Sequence, residues 1–494
     1  MADPLLLAID QGTTSTRALV FDGMGKPVAV AQQPLRQIYP ANGWVEHDPE
    51  EIWAATMAVC ARAAAEVGGA ARIKAIGITN QRETSVLWDR KTGAAVMNAI
   101  VWQDRRGASR CAELKAAGHE AAIQSKTGLL IDSYFSATKV EWVLRNVPGL
   151  RERAVRGEIA FGTIDSFLLW RLTGGAVHAT DATNASRTML FDIHRGVWDD
   201  GLLALFDIPR ALLPEVRDTA GVFGTTTLLG REIPIAALVG DQQGALVGQA
   251  CFDAGMTKST YGTGCFVLVN TGRAALASRH RLLTTIAYRI AGATTYALEG
   301  SIFNAGTVVQ WLRDEARMIA NSADSEAVAA GLDDVGGAGG VYFVPAFTGL
   351  GAPHWDPDAR GAILGLTRDS GAARIVRAGL ESVAYQTADL ISALRSDGIA
   401  EPGALRVDGG MAANTWFLQF LADMTDVPVE RPASAETTVA GAAFLAGLGS
   451  SVFGSLNDIK AAWTLDFRAS PKISRTTRAA LLDGWHKAVA RVSG

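Results

Sequence analysis

The feature that most constrains this chain is a hairpin that occurs twice, half a chain apart. Residues 5–9 form an apolar, β-forming run that meets Asp10-Gln11-Gly12-Thr13-Thr14-Ser15, and residues 16–21 then resume as a strand. Residues 258–261 meet Gly262-Thr263-Gly264, and residues 265–270 resume in the same style. A unit repeated at half length predicts a duplicated architecture. A third apolar run, 405–407, meets Asp408-Gly409-Gly410 and leads into a helical pattern over 415–424.

With 494 residues there is chain for two large domains. We set the boundary near residue 248, giving an N-terminal unit over 1–248 and a C-terminal unit over 249–494. Helical patterns cover 50–67, 137–145, 305–317 and 372–394. Strands alternating with helices predict an α/β fold, with a central cleft between the two units.

Composition removes several classes of function. Net charge is −4, so there is no broad basic field for nucleic acid or an anionic membrane. The four cysteines, Cys60, Cys111, Cys251 and Cys265, lie far apart without a C-x-x-C pair, which predicts a reduced, cytoplasmic protein. None of the seven histidines has partners at zinc-ligand spacing. Met1-Ala2-Asp3-Pro4 carries an acid where a signal peptide has a base. Residues 437–456 are apolar and uncharged, but their glycines, alanines and serines read as buried helix and loop rather than a membrane span.

Several clusters carry chemistry. In Asp10–Arg17 the glycine lets backbone approach a phosphate, Thr13, Thr14 and Ser15 supply donors, Arg17 supplies a cation, and Asp10 at a strand end suits Mg²⁺. Taken alone, a polar hairpin tip explains the same residues. The cluster is neither a Walker A loop nor a G-x-G-x-x-G fingerprint. Tyr261-Gly262-Thr263-Gly264-Cys265-Phe266 offers a second jaw for one polyphosphate. Asp408-Gly409-Gly410 with Asn414 can lie flat against adenine or ribose, or can simply make a tight strand-to-helix turn. Asp241 in Gly240-Asp241-Gln242-Gln243 follows a strand, where a carboxylate faces the ligand crevice and accepts a hydroxyl proton; a helix N-cap suits it equally. Arg82-Glu83 ends another strand and reads as donors beside an acceptor for a polyol, or as a surface ion pair. Trp102 walls a pocket or packs in the core.

Tyr134-Phe135-Ser136-Ala137-Thr138-Lys139-Val140-Glu141-Trp142 matches the first signature of the FGGY carbohydrate kinase family. Gly361-Ala362-Ile363-Leu364-Gly365-Leu366 opens the second, with Arg374 where that pattern usually has histidine or another polar residue. The chain resembles this family nearly end to end, and within it the enzymes that phosphorylate glycerol. The resemblance implies an actin-like, ribonuclease-H-like domain in each half. It implies ATP held by Thr13, Thr14, Ser15, Arg17, Thr263, Gly306, Gln310, Gly410 and Asn414. Glycerol would be held by Arg82, Glu83, Tyr134, Asp241 and Gln242, against Trp102 and Phe266. Asp241 would be the general base, Asp10 and Asp241 would lie at Mg²⁺, and a homodimer or homotetramer is expected. In the stretch 224–233, enterobacterial relatives carry a loop that binds an inhibitory sugar bisphosphate. Here it is shorter and Glu232 precedes Ile233-Pro234, so fructose 1,6-bisphosphate is expected to inhibit weakly or not at all. Two other readings are a pentulose or tetritol kinase on the same scaffold, and an actin-like ATPase that needs no Arg82-Glu83 pair.

Overall fold

The computed structural model describes residues 4–332, 337–356 and 358–493. The reading of Met1–Asp3 lies outside them. The N-terminal lobe is built on β1 (Leu5–Gln11), β2 (Ser15–Phe21), β3 (Pro27–Pro34), β4 (Ile73–Asn80), β5 (Ala220–Thr226) and β6 (Ile233–Gly240), in the order β5-β6-β4-β1-β2-β3. The C-terminal lobe is built on β7 (Thr257–Tyr261), β8 (Cys265–Gly272), β9 (Leu283–Ile290), β10 (Ala293–Ile302), β11 (Leu405–Asp408), β12 (Val429–Pro432) and β13 (Leu465–Ala469), in the order β9-β10-β8-β7-β11-β12-β13.

The two sheets repeat one pattern. β1 pairs antiparallel with β2 and parallel with β4, and β4 runs parallel to β6. In the same way β7 pairs antiparallel with β8 and parallel with β11, and β11 runs parallel to β12. Burial follows position in the sheet. Every residue of β1 is buried, as a central strand covered on both faces requires, whereas β3 at the edge alternates with solvent.

Helix α1 (Pro49–Glu66) starts where its chemistry directs. The Asp48 carboxylate caps it by accepting from Glu50 N, proline opens it, and Glu50 and Glu51 sit in its first turn. The first signature forms α2 (Ser136–Asn146). α3 (Asp241–Gly248) follows β6 directly. α4 (Gly306–Asp314) stops short of the helix expected to residue 317, and Arg317 takes a left-handed φ of 53° beyond it. The other long helices are α5 (Ala372–Ser396), α6 (Thr415–Thr425), α7 (Thr437–Gly449) and α8 (Arg475–Val489).

Within the apolar stretch 437–456, α7 is core through Gly447, and the turn beyond it reaches solvent at Ser451 and Gly454. α7 packs against β4, β1 and α3, and among the described residues no helix is long and apolar enough to cross a membrane. α3 and α7 occupy equivalent places after β6 and β12, and cross at near backbone contact. A Cβ on Gly441 would stand 1.9 Å from the Gly244 carbonyl oxygen, so only glycine fits there. The lobes therefore meet along a small-residue seam directly behind the strand ends that carry the site.

Candidate active site

A pocket of about 140 Å³ lies at those strand ends. Arg82, Glu83, Trp102, Tyr134, Asp241, Gln242 and Phe266 line it together with Thr13, Thr260, Gly262, Thr263 and Gly264. All seven side chains read from the sequence as polyol-facing meet here, although they come from five separate segments. The aromatic wall is Tyr134, Trp102 and Phe266, with Trp102 edge-on to both neighbours at 5.5 and 6.4 Å.

Arg82 and Glu83 are not a surface pair. They are 2% and 1% exposed. Glu83 adopts a φ of 62°, a left-handed conformation unusual for a residue with a side chain, and hydroxyls of Ser85 and Ser136 both donate to its carbonyl at 3.0 Å. The Arg82 fork is fully engaged by protein. Its Nε lies 3.1 Å from Asp241 Oδ1, its Nη1 2.5 Å from Glu299 Oε2, and its Nη2 donates to Tyr134 Oη at 3.3 Å and to Glu299 Oε1 at 3.2 Å. Arg187 closes the circuit, donating from Nε to Glu83 Oε1 at 2.6 Å and from Nη2 to Glu299 Oε1 at 2.9 Å. Lys258 Nζ donates to Gln242 Oε1 at 2.6 Å and Thr260 Oγ1 at 2.9 Å. Buried charge on this scale persists only when cations and anions are matched and hydrogen-bonded. Arg82, Arg187 and Lys258 here face Glu83, Glu299 and Asp241.

The cluster sets the protonation of its members. Burial pushes the Asp241 carboxyl up and Arg82 opposes it; 30% of that side chain still opens into the pocket. Burial likewise raises Glu83, against Arg82 and Arg187. Burial also pushes Glu299 up, but Arg187 and Arg82 outweigh it and hold the carboxyl at about 2. Burial pulls the Lys258 ammonium down to about 8. Lys139, from the first signature, donates to the carbonyls of Ser133, Tyr134 and Phe135 at 2.7, 2.6 and 3.0 Å, pinning the turn that presents Tyr134.

Sequence reasoning did not single out Arg187, Glu299 or Lys258. A signal existed. Each is a lone charge inside an apolar or β-forming stretch, a placement that is costly unless a partner waits.

A larger cavity of about 510 Å³ opens in the C-terminal lobe. Thr263, Gly306, Gln310, Gly410 and Asn414 line it, with Tyr261, Val309, Leu380, Met411 and Glu326 among the other walls. Gly306 sits so close to the second hairpin that a Cβ would stand 2.5 Å from the Gly262 carbonyl oxygen, whereas Gly410 has nothing within 4 Å. Asn414 caps α6 by accepting from Phe417 N at 2.8 Å. Gly262 and Thr263 belong to both cavities, so the second hairpin is where they join.

The first hairpin is placed differently from the other expected nucleotide residues. Thr13 faces the small pocket and accepts from Trp102 Nε1 at 2.9 Å. Thr14 is exposed at the tip, and Ser15 Oγ accepts from Gln32 Nε2 at 3.0 Å. Arg17 bridges Asp10 at 2.5 Å and Glu436 at 2.6 Å, tying the tip to the start of α7. Thr14, Ser15 and Arg17 therefore do not line the larger cavity. Asp10 is 7% exposed, and its charge contributes to raising Asp241. Among the described residues no group of three metal-type side chains forms. Two oxygen-donor carboxylates still match Mg²⁺, which is held by one or two carboxylates with phosphate oxygens and water supplying the rest.

The FGGY family of carbohydrate kinases matches through its N-terminal domain over residues 5–248 and its C-terminal domain over 257–450. The glycerol kinases of Rhodospirillum centenum and Ectopseudomonas mendocina are each 60% identical to the chain, and each alignment covers 99% of this chain and 98% of the relative. Among solved structures, Plasmodium falciparum glycerol kinase with ADP superposes with a TM-score of 0.92 at 38% identity, over 99% of this chain and 98% of that one.

Proposed function

Because the chain belongs to the FGGY family of carbohydrate kinases, both of whose domains it carries, we propose that it transfers the γ-phosphoryl group of ATP to a terminal hydroxyl of glycerol, giving sn-glycerol 3-phosphate. The carrying observation is the small pocket. Its 140 Å³ is less than a third of the 510 Å³ cavity beside it, a space on the scale of a small polyol rather than a nucleotide. Its walls suit such a molecule, with charged acceptors and amide and hydroxyl donors on one side and three aromatic faces on the other. The relatives named glycerol kinase support the same substrate.

In this reading ATP lies in the 510 Å³ cavity with its terminal phosphate at Gly262 and Thr263, the residues common to both spaces. The open backbone at Gly410 admits the flat nucleoside. Asp241 is the general base. Its Oδ1 is engaged by Arg82 Nε and by Gln242 N at 2.7 Å, which leaves Oδ2 for the hydroxyl proton. The burial that raises Asp241 also makes it a better proton acceptor than an exposed aspartate. Mg²⁺, when bound with ATP, neutralises charge on the transferring phosphoryl group, and Asp10 and Asp241 would hold it. Thr14 at the hairpin tip, with Ser15 and Arg17 at the start of β2, acts as the opposing jaw. Four free, buried cysteines support a cytoplasmic location.

Release of ADP measured over glycerol, dihydroxyacetone, erythritol, xylulose and ribulose tests the substrate. Glycerol should give the highest kcat/KM. A larger sugar in first place would overturn the proposal, and equal turnover without any polyol would favour an ATPase. The same reading expects weak or no inhibition by fructose 1,6-bisphosphate. Glu232 is exposed in the β5–β6 turn, and Arg231 is engaged on the Ala71 carbonyl. Inhibition at low micromolar effector would refute this.

A further inference from the structure

Lys258 is fully buried, lines neither cavity, and is not used by the mechanism above. It stands on β7 in the C-terminal lobe, yet reaches Gln242 in the first turn of α3 in the N-terminal lobe. An ammonium has three donors and no acceptor. The Gln242 amide beside it must therefore turn its oxygen toward Lys258, and the 2.6 Å contact is to Oε1. That choice settles the other end of the amide. Gln242 lines the small pocket, and its Nε2 meets no protein acceptor among the described residues. Thr260 is governed alike. Its Oγ1 accepts from Lys258 at 2.9 Å, which leaves the hydroxyl proton for the pocket that Thr260 also lines.

We propose that Lys258 is a positioning residue for polyol recognition, turning Gln242 and Thr260 so that both present hydrogen-bond donors to the substrate. The idea rests on the polyol-kinase reading of the pocket. With Lys258 in place, one wall donates (Gln242 and Thr260) while Glu83 and Asp241 accept. A hydroxyl that gives its proton to a carboxylate and receives one on its lone pair fits between them. Without Lys258 the amide is free to flip, and an acceptor facing a hydroxyl oxygen repels it. Because Lys258 and the second hairpin share β7, polyol recognition is built partly by the lobe that holds the nucleotide.

The test is a double-mutant cycle on the full chain, with KM for glycerol and for ATP, kcat, and thermal unfolding. Lys258→Met should raise the glycerol KM about tenfold or more, the scale of one directed hydrogen bond lost to an unpaired polar group, and leave the ATP KM within about twofold. In a Gln242→Leu background the same substitution should add less than about twofold, because its main target is gone. Gln242→Glu is the second variant. It keeps the shape and pairs with Lys258 without removing it, but offers the pocket no amide donor, so the glycerol KM should again rise about tenfold. It serves if Lys258→Met does not fold. A wild-type glycerol KM in Gln242→Glu, additive effects in the cycle, or equal rises in both KM values would overturn the proposal. Absence of polyol-dependent turnover in the wild type would instead defeat the kinase reading, so the two failures are distinguishable.

Discussion

The two lobes carry the same strand pattern but present opposite surfaces at their strand ends. The N-terminal lobe contributes most of a 140 Å³ pocket packed with charge, where Arg82, Glu83 and Arg187 are nearly or wholly inaccessible. The C-terminal lobe opens a 510 Å³ cavity lined mostly by glycines, short side chains and apolar residues, with Arg313 and Glu326 the charged groups in its wall. On the proposed reading, one scaffold serves two tasks. A small polyol must be told apart from water and from larger sugars, which needs fixed donors and acceptors. A large nucleotide can be held chiefly by backbone and shape. The sharpest way to break this contrast is Asp241→Asn. It should lower kcat by roughly 10²–10⁴-fold, the usual contribution of a placed base, while nucleotide affinity in the larger cavity is retained. Near-normal turnover would remove Asp241 from the role, and lost ADP binding in a titration would show that the two sites are not separable.

The charged cluster is shared between the lobes. Glu299 comes from β10 of the C-terminal lobe, but its partners Arg82 and Arg187 belong to the N-terminal lobe. Removing one member of a buried ion cluster leaves its partners uncompensated. Glu299→Ala should cost about 3–5 kcal/mol in urea unfolding. A loss under about 1 kcal/mol, the range of a surface pair, would mean that the lobes do not depend on this contact.

How much was legible follows the same division. The hairpins were readable because apolar runs flank glycine turns, a local signal, and the sheets bear out both. Arg82, Glu83, Asp241 and Phe266 stood at strand ends or turns, where an α/β fold gathers ligands, so their convergence was within reach of the sequence. Arg187, Glu299 and Lys258 were not, because their importance lies in partners more than a hundred positions away for Arg187 and Glu299, and across a lobe boundary for Lys258. Arg17 shows a further limit. Its sequence suits a phosphate loop, but Asp10 and Glu436 engage its guanidinium, and Glu436 lies 419 positions distant.

Gly410→Val probes the larger cavity. Nothing lies within 4 Å of a Cβ at that position, and the residue lines the larger cavity. The added side chain would stand in the space assigned to the nucleoside, so KM for ATP should rise about tenfold by steric exclusion with little change in unfolding temperature. Glycerol KM should stay near wild type. An unchanged ATP KM would move the nucleotide out of this cavity. Gly306→Ala makes a poorer probe, because its Cβ would strike the Gly262 carbonyl and disturb the shared hairpin directly.

The smallest expected difference is in the response to acid. In the N-terminal lobe, His47 is fully buried, and burial pulls its pKa down to about 4. Gln81 donates to its Nδ1 at 3.2 Å, so its Nε2 must donate to Gln37 Oε1 at 2.9 Å, and the same Gln37 holds the Thr13 carbonyl. In the C-terminal lobe, by contrast, His486 is raised by its hydrogen bond to Asp389. The signs are opposite. Between pH 6.5 and 4 the unfolded chain protonates His47 and the folded chain does not, so this contribution falls as pH falls. His486 contributes stability below pH 6.5 that is lost as pH rises through its raised folded value. From pH 7 to 5 the His47 effect amounts to about 2 kcal/mol at most. Urea unfolding of His47→Gln should lose less stability over that interval than wild type, by about 1–2 kcal/mol. Identical pH dependence in wild type and variant would mean that His47 titrates alike in the folded and unfolded chain.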